Sequence, residues 1–266
     1  MKPKLIVSGA AGRMGKRILA LAADSGDFNI VAAVERRDHP DIGKDAGLLA
    51  ASKELGVKIS EELPTTADVM IDFSLPGAVD RTIEFCSANR IALVLATTGL
   101  SESQQTTVKA ASEKIPLIQA TNMSVGMNLL FELVGKVASS LGEEYDIEIV
   151  EKHHRFKKDS PSGTALTLAE KIAEGTGRDF PDCLTHGRSG KEALRQKGKI
   201  GMHAVRAGDI VGIHSVIFGT LGETVTIEHN AHSRDTFAAG ALRAAKWLVG
   251  KTPGQYQMPD VLGLKD

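Results

Sequence analysis

From residue 4 to about residue 120 the chain alternates short, almost unbroken apolar runs with stretches of helical spacing. The runs are Leu5-Ile6-Val7, Ile30-Val31-Ala32-Ala33-Val34, Val69-Met70-Ile71-Asp72-Phe73, Ile91-Ala92-Leu93-Val94-Leu95 and Pro116-Leu117-Ile118. Runs of this kind are strands covered on both faces, and helices between them make right-handed crossovers. The pattern therefore predicts an α/β fold with a doubly wound parallel sheet. In such a sheet ligands sit beyond the carboxyl ends of the strands.

After Asn122 the pattern changes. Residues Val125 to Leu141 have the spacing of one amphipathic helix, and Asp146 to Val150 alternate apolar with acidic positions, as a half-buried strand does. A further helix is expected from near Ser162. Strand material returns at Val211–Phe218 and Thr224–Glu228, separated by Gly219-Thr220-Leu221-Gly222. This predicts a second α+β domain with an open mixed or antiparallel sheet. The last helix, about Thr236 to Val249, is expected to pack back on the first domain. The expected division is 1–122 with 234–266 as one domain and 123–233 as the other.

Composition narrows the partners. The 266 residues carry 32 basic and 33 acidic side chains, so no global field draws nucleic acid or an anionic membrane, and a charged ligand must be held by local groups. Cys86 and Cys183 stand apart with no metal-ligand spacing, which fits buried thiols in a reducing compartment. No apolar stretch approaches the roughly 20 residues that span a bilayer, and the N-terminal run is too short for a signal-peptide core. These features predict a soluble, cytoplasmic protein with a small-molecule partner.

Two segments carry chemistry. The first is Gly9-Ala10-Ala11-Gly12-Arg13-Met14-Gly15, directly after the first strand. There the first glycine permits a tight turn, the second admits backbone close to a pyrophosphate, and the third lets the helix pack on the sheet. The phosphates would then meet amides at a helix start. Glu35 closes the second strand about 20 residues beyond Gly15, where an acid hydrogen-bonds the adenosine ribose. Arg36 and Arg37 follow, and an adjacent guanidinium can grip a 2′-phosphate, so the pairing predicts that NADH and NADPH are both accepted. The first domain is thus expected to be Rossmann-like. Thr97 and Thr98, after the 91–95 strand, are read as nicotinamide contacts. Ser74, after the 69–73 strand, is open between capping and cofactor contact, and Ser101 is read as a helix cap.

The second segment runs from Glu148 to Ala165. Strand alternation puts only one of His153 and His154 on the face of Glu151 if the strand persists that far. A histidine titrating near neutrality suits proton exchange in a reduction, and Lys157 can add positive charge and a proton. Ser160-Pro161-Ser162-Gly163-Thr164-Ala165 then opens a helix in which Ser162 can cap and the amides of Gly163 and Thr164 can meet a carboxylate. The basic stretch Arg188 to Lys199 reads as a solvated loop.

Other classes fare worse. A short-chain dehydrogenase needs Tyr followed four residues on by Lys, but Tyr145 leads to Ile149 and Tyr256 to Asp260. His229 and His232 supply too few ligands for a metal, so no metal site is expected. A nucleotide-sensing regulator built on the first domain would lack imine reduction, and no basic recognition helix is present for DNA.

At these motifs the chain resembles the 4-hydroxy-tetrahydrodipicolinate reductase (dihydrodipicolinate reductase) family. The family pattern E-[IV]-x-E-x-H-x-x-x-K-x-D-x-P-S-G-T-A is met in full by Glu148 to Ala165, and further likeness lies at 9–15, Asp72-Phe73-Ser74, Thr97-Thr98-Gly99, Asn122–Gly126 and Val205–Gly212. The resemblance implies a two-domain NADH- or NADPH-dependent reductase acting on a cyclic imine dicarboxylate in diaminopimelate and lysine biosynthesis. It implies His153 as proton donor or acceptor and Lys157 as proton donor, with His154, Gly163 and Thr164 binding substrate. Implied cofactor contacts are Gly9, Ala10, Ala11, Gly12, Arg13, Met14, Glu35, Arg36, Ala96, Thr97, Thr98, Ala120, Thr121, Asn122 and Met123. Ala96 stands where the family usually has glycine. The resemblance further implies a homotetramer built through the sheets of the substrate domain.

Overall fold

A computed structural model describes residues 1–64 and 66–264. The chain divides into two compact units, Met1–Val125 joined by the segment from Arg234 onward, and Gly126–Ser233.

The first unit holds a seven-stranded parallel sheet. In chain order its elements are β1 (Lys4–Ser8), α1 (Arg13–Ser25), β2 (Asn29–Val34), α2 (Ala46–Leu49), β3 (Ile59–Ser60), β4 (Val69–Asp72), α3 (Pro76–Asn89), β5 (Ala92–Leu95), α4 (Glu102–Ser112) and β6 (Pro116–Gln119). The strand order is β12-β6-β5-β4-β1-β2-β3, with β12 (Gly254–Tyr256) supplied from the far end of the chain. The apolar runs are strands for the reason their sequence suggests: alternate residues enter different cores. Leu5, Val7, Val69, Ile71 and Val94 enter a core that holds α1 and a late helix of the chain, whereas Ile6, Met70, Leu93 and Leu95 enter one with α3 and α4. Two edge strands, β3 and β12, are too short to show a period. The helix α4 starts at a capping box of Ser101 with Gln104.

The helix α7 (Asp235–Leu248) belongs to this first unit and buries Ala238, Ala241, Leu242, Ala244, Ala245 and Leu248 in the same core as α1. Its Gly240 lies so close to the Met123 carbonyl that any side chain would collide. The short α8 (Met258–Leu262) adds Met258 and Val261.

The second unit carries a mixed five-stranded sheet of order β11-β10-β7-β9-β8. Its strands are β7 (Asp146–His153), β8 (Leu184–His186), β9 (Ile200–Arg206), β10 (Gly212–Thr220) and β11 (Glu223–Ala231). The central β7 is parallel to β9 and antiparallel to β10. It runs to His153, three residues beyond the expected end, because β10 continues its ladder to Lys152 and β9 to His153. The helices α5 (Val125–Leu141) and α6 (Gly163–Thr176) cover one face, burying Phe131, Val134, Leu168 and Ile172 with Ile147, Ile149 and Phe218. They meet backbone to backbone at Gly135 and Gly175, where a Cβ on Gly135 would lie 2.6 Å from the Lys171 carbonyl oxygen. Among the described residues no helix is long and apolar enough to cross a membrane.

Candidate active site

The glycine loop leaves β1 in a shape only glycine allows. Gly9 has φ of +71°, and a Cβ there would lie 2.7 Å from the Phe73 carbonyl oxygen. The Gly12 amide donates to Gly9 O at 3.0 Å and the Ala10 amide to Val34 O at 3.1 Å, folding the loop over the ends of β1 and β2. The helix α1 follows with Gly12 as its N-cap, no capping side chain and no acid in its first turn. Its positive end is therefore not neutralised by the chain itself, as an anion-binding start requires. Glu35 reaches back, its Oε2 accepting from the Ala11 amide at 3.2 Å and its Oε1 from the Arg36 amide at 3.1 Å. This compact loop, open helix start and strand-end carboxylate fit a dinucleotide.

A buried carboxylate, Asp72, ties together the loops beyond β4 and β5. It accepts from Ser74 Oγ at 2.7 Å, Thr97 Oγ1 at 2.8 Å and Thr82 Oγ1 at 2.8 Å. The hydroxyls of Ser74 and Thr97 are thus engaged in holding the loops, which leaves their backbone to meet a ligand. Ala96 is likewise buried, its amide donating to Asp72 O. Met123 sits in the core with 1 % exposure, so its side chain is packing and only its backbone could face a ligand. Asn122 Oδ1 accepts from the Ser124 amide at 2.8 Å, shaping the turn after β6.

In the second unit, alternation along β7 puts Ile147, Ile149, Glu151 and His153 on the helix-covered face. Glu151 is fully buried and takes four hydrogen bonds. His153 Nδ1 donates at 2.5 Å, Arg206 grips both oxygens at 2.8 and 2.7 Å, and the Ser162 amide donates at 3.1 Å. Burial pushes the Glu151 carboxyl upward, but the hydrogen bonds from His153 and Arg206 outweigh it and bring its pKa to about 2. The bond at Nδ1 leaves Nε2 as the nitrogen of His153 able to exchange a proton. His154 follows the strand's end, its ring 6.4 Å from that of Phe156.

The same carboxylate anchors the rest of the motif. Ser162 caps α6 by accepting from the Ala165 amide at 3.2 Å, so the start of the helix at Gly163 and Thr164 is fixed to Glu151 through Ser162. Arg206 also donates to the Asp159 carbonyl at 2.7 Å, and Asp159 pairs with Lys157 Nζ at 2.8 Å. One network therefore joins His153, Lys157 and the α6 start. Sequence reasoning left Arg206 out of the site; the register that sets it beside His153 on the parallel β9 is a long-range pairing with no local signal.

His214 lies opposite Glu151 on β10, buried, with Nε2 3.1 Å from Ser162 Oγ and its ring centroid 5.1 Å from that of His153. Burial, reinforced by the nearby charge of His153, lowers its pKa to about 3, so it stays neutral.

The basic stretch 188–199 is an irregular and mostly exposed loop, as expected, but two of its cations reach back to β7. Arg188 binds Glu148 with both nitrogens at 3.0 and 2.6 Å, Arg195 adds a third bond at 3.0 Å, and His203 a fourth at 2.6 Å. Arg195 also pairs with Asp146 at 2.7 Å. Burial would raise Glu148, yet its bonds to Arg188, His203 and Arg195 lower it to about 2. These partners were missed because the alternation that makes Glu148 look solvent-facing says nothing about which loop covers it.

A doubly wound sheet with a glycine loop and strand-end acid, followed by a unit built round a carboxylate-oriented histidine, defines a two-unit dinucleotide-dependent oxidoreductase. Residues 3–123 match the family described as dihydrodipicolinate reductase, N-terminus, and residues 126–262 match dihydrodipicolinate reductase, C-terminus. The chain is 46 % identical over 265 residues to a 4-hydroxy-tetrahydrodipicolinate reductase of Trichlorobacter lovleyi, covering 98 % of this chain and 99 % of that one. It is 45 % identical over 267 residues to the protein of that name from Alkalilimnicola ehrlichii, covering 99 % and 100 %. A solved dipicolinate-bound dihydrodipicolinate reductase from Paenisporosarcina sp. TG-14 shares the fold with a TM-score of 0.74 at 23 % identity, over 97 % of this chain and 98 % of that one. The chain belongs to the dihydrodipicolinate reductase family.

Proposed function

We propose that this protein reduces 4-hydroxy-tetrahydrodipicolinate to tetrahydrodipicolinate with NADH or NADPH, in the cytoplasm, as a step of diaminopimelate and lysine biosynthesis. The observation that carries this reading is the buried Glu151–His153 pair joined to Lys157 and the α6 start, in a chain 45–46 % identical along its length to proteins named for the reaction.

Gly9, Ala10, Ala11, Gly12, Arg13 and Met14 would hold the pyrophosphate, Glu35 and Arg36 the adenosine ribose, and the loops at Ala96, Thr97, Thr98 and Ala120, Thr121, Asn122, Met123 the nicotinamide end. When bound, the reduced nicotinamide supplies hydride. The overall change replaces the substrate hydroxyl by hydrogen: one hydride and one proton enter, and the hydroxyl leaves as water by taking up that proton. His153 Nε2 exchanges the proton, because Nδ1 is committed to Glu151. Lys157 carries positive charge to a substrate carboxylate and is the source of that one proton, which His153 relays, while His154, Gly163 and Thr164 receive the carboxylates.

The decisive assay couples condensation of pyruvate with aspartate semialdehyde to oxidation of NADH or NADPH at 340 nm. Substrate-dependent oxidation of either nucleotide is expected, and none with either would end this reading. For nucleotide choice, the Glu35 carboxylate repels a 2′-phosphate while the exposed Arg36 guanidinium attracts one. Glu35→Gln should therefore shift kcat/KM toward NADPH; an unchanged ratio removes Glu35 from selection. The chain is further proposed to assemble as a homotetramer through the second unit's sheet, which light scattering of the purified protein tests directly.

A further inference from the structure

Beside the oriented histidine stands a second imidazole whose role the reaction does not require. His214 is 3 % exposed, its Nδ1 has no hydrogen-bond partner, and its Nε2 is held by the Ser162 hydroxyl. A buried polar atom without a partner is costly, so a neutral apolar ring would serve packing better unless the site uses what stands there.

The register shows what stands there. His214 pairs with Glu151 across the β10–β7 ladder, so the imidazoles of His214 and His153 are diagonal neighbours on one face. The rings meet edge to face, 75° between planes. Two residues before His214, Gly212 lines the same space: a Cβ there would lie 3.2 Å from His153 Nε2, 3.5 Å from its Cδ2 and 3.8 Å from His214 Cε1. Gly212 has no left-handed φ, so its backbone does not itself demand glycine. The absent side chain leaves open the flank of His153 that bears Nε2.

We propose that His214 is a positioning residue for His153. With Gly212 it forms the β10 wall of a slot that admits the His153 imidazole in one orientation only, Nδ1 on Glu151 and Nε2 toward the reacting molecule. The inference deepens the proposed reductase reading and rests on it for its kinetic consequence. Free rotation of the His153 ring about its terminal torsion would exchange the two edges and break the Glu151 bond; the flat ring of His214 blocks that turn sterically, while the Ser162 bond keeps His214 in place. The titratable groups facing the pair are Glu151 and Arg206, with the charges of Lys157 and His229 also felt at His214. Glu151 and Arg206 neutralise one another, so the geometry rather than a net field selects the nitrogen that exchanges.

The test compares His214→Asn, which removes the wall, with His214→Phe, which restores a ring without nitrogens. Full-length protein labelled with 15N-histidine is used, and the tautomer of His153 is read by NMR beside the pH profile of kcat. In the parent, the His153 ring is expected in one orientation, its Nδ1 proton shared with Glu151. In His214→Asn the signal should become a mixture, kcat should fall about tenfold to a hundredfold with KM nearly unchanged, and the acidic limb of the profile should move. His214→Phe should recover most of the kcat and the single orientation. An unchanged tautomer and pH profile in His214→Asn would overturn the proposal, as would a Phe variant no better than the Asn one. Should His214→Asn fold poorly, Gly212→Ala places a methyl against Nε2 on a permitted backbone; it is expected to melt near the parent, shift the tautomer and lower kcat, and normal behaviour in both readouts would equally refute the slot. If the parent shows no reductase activity the functional reading fails, and the NMR comparison still decides whether the slot exists.

Discussion

Replacing Glu151 by Gln removes one charge from a site that holds four donors. Its magnitude can be worked in two ways. The carboxyl falls from 4.5 to about 2 in the folded chain. At about 1.4 kcal/mol per pH unit this contributes about 3 kcal/mol of stability at neutral pH. The other route starts from the partner left behind: Arg206 grips Glu151 with both nitrogens, and breaking a buried pair from one side costs about 3–5 kcal/mol. The two agree, so Glu151→Gln should destabilise the second unit by about 3 kcal/mol at pH 7. Because the folded pKa lies below the unfolded one, the contribution is complete above pH ~4.5 and is lost as pH falls toward ~2. The variant should therefore lose less stability than the parent on acidification through that window. Hydrogen exchange of β7 and α6 peptides reads the second unit, and the fluorescence of Trp247, on α7, reads the first. Faster exchange is expected at β7 and α6 with the Trp247 transition unmoved, and kcat should drop about 10²–10⁴-fold as His153 loses its orienting partner. A loss below about 1 kcal/mol, with the acid limb of stability unchanged, would refute the claim that Glu151 is the ionised centre of this network.

Lys157→Ala should lower kcat by about 10²–10⁴-fold while nucleotide affinity, measured by NADH fluorescence, stays within a factor of about two; near-normal turnover would take Lys157 out of the chemistry. Gly9→Ala puts a side chain on a φ of +71° and against the Phe73 carbonyl. It should cost about 1–3 kcal/mol of first-unit stability and at least about tenfold in nucleotide affinity, checked by Trp247 melting and titration. Arg195→Ala breaks bonds to Glu148 and Asp146 and to the carbonyls of Ile147 and Lys199. A loss of about 2 kcal/mol by chemical denaturation is expected, against about 0.5 kcal/mol or less for a loop that merely faces water.

The first sheet was legible because strands such as Ile30–Val34 and Ile91–Leu95 are apolar on consecutive positions, a pattern that needs no knowledge of neighbours. The glycine loop and the start of α6 were legible for a similar reason: a left-handed Gly9 and a capping Ser162 are local demands of the backbone. What escaped were the partners chosen at long range. Arg206, His214 and the Arg188–Arg195 pair reach β7 only through the register of β9 and β10 and the path of a loop, and no periodicity encodes which cation meets which carboxylate. The two short edge strands escaped because two or three residues carry no period at all. Met123 is a motif residue whose side chain serves the core, which leaves its backbone for the nicotinamide end.

The contact of Gly240 with the Met123 carbonyl has a consequence during synthesis. On the ribosome, the sheet formed by β1, β2, β4, β5 and β6 emerges long before α7, which follows only after Gly126–Ser233 have been made. Until then Leu5, Val7, Ile71 and Val94 lack one of the two helices that cover them, and a nascent chain in that state presents a sticky apolar face. Release before Leu248 would leave that face covered by α1 alone, so a chain truncated there keeps its whole parallel sheet order from β3 to β6 yet lacks half of its cover.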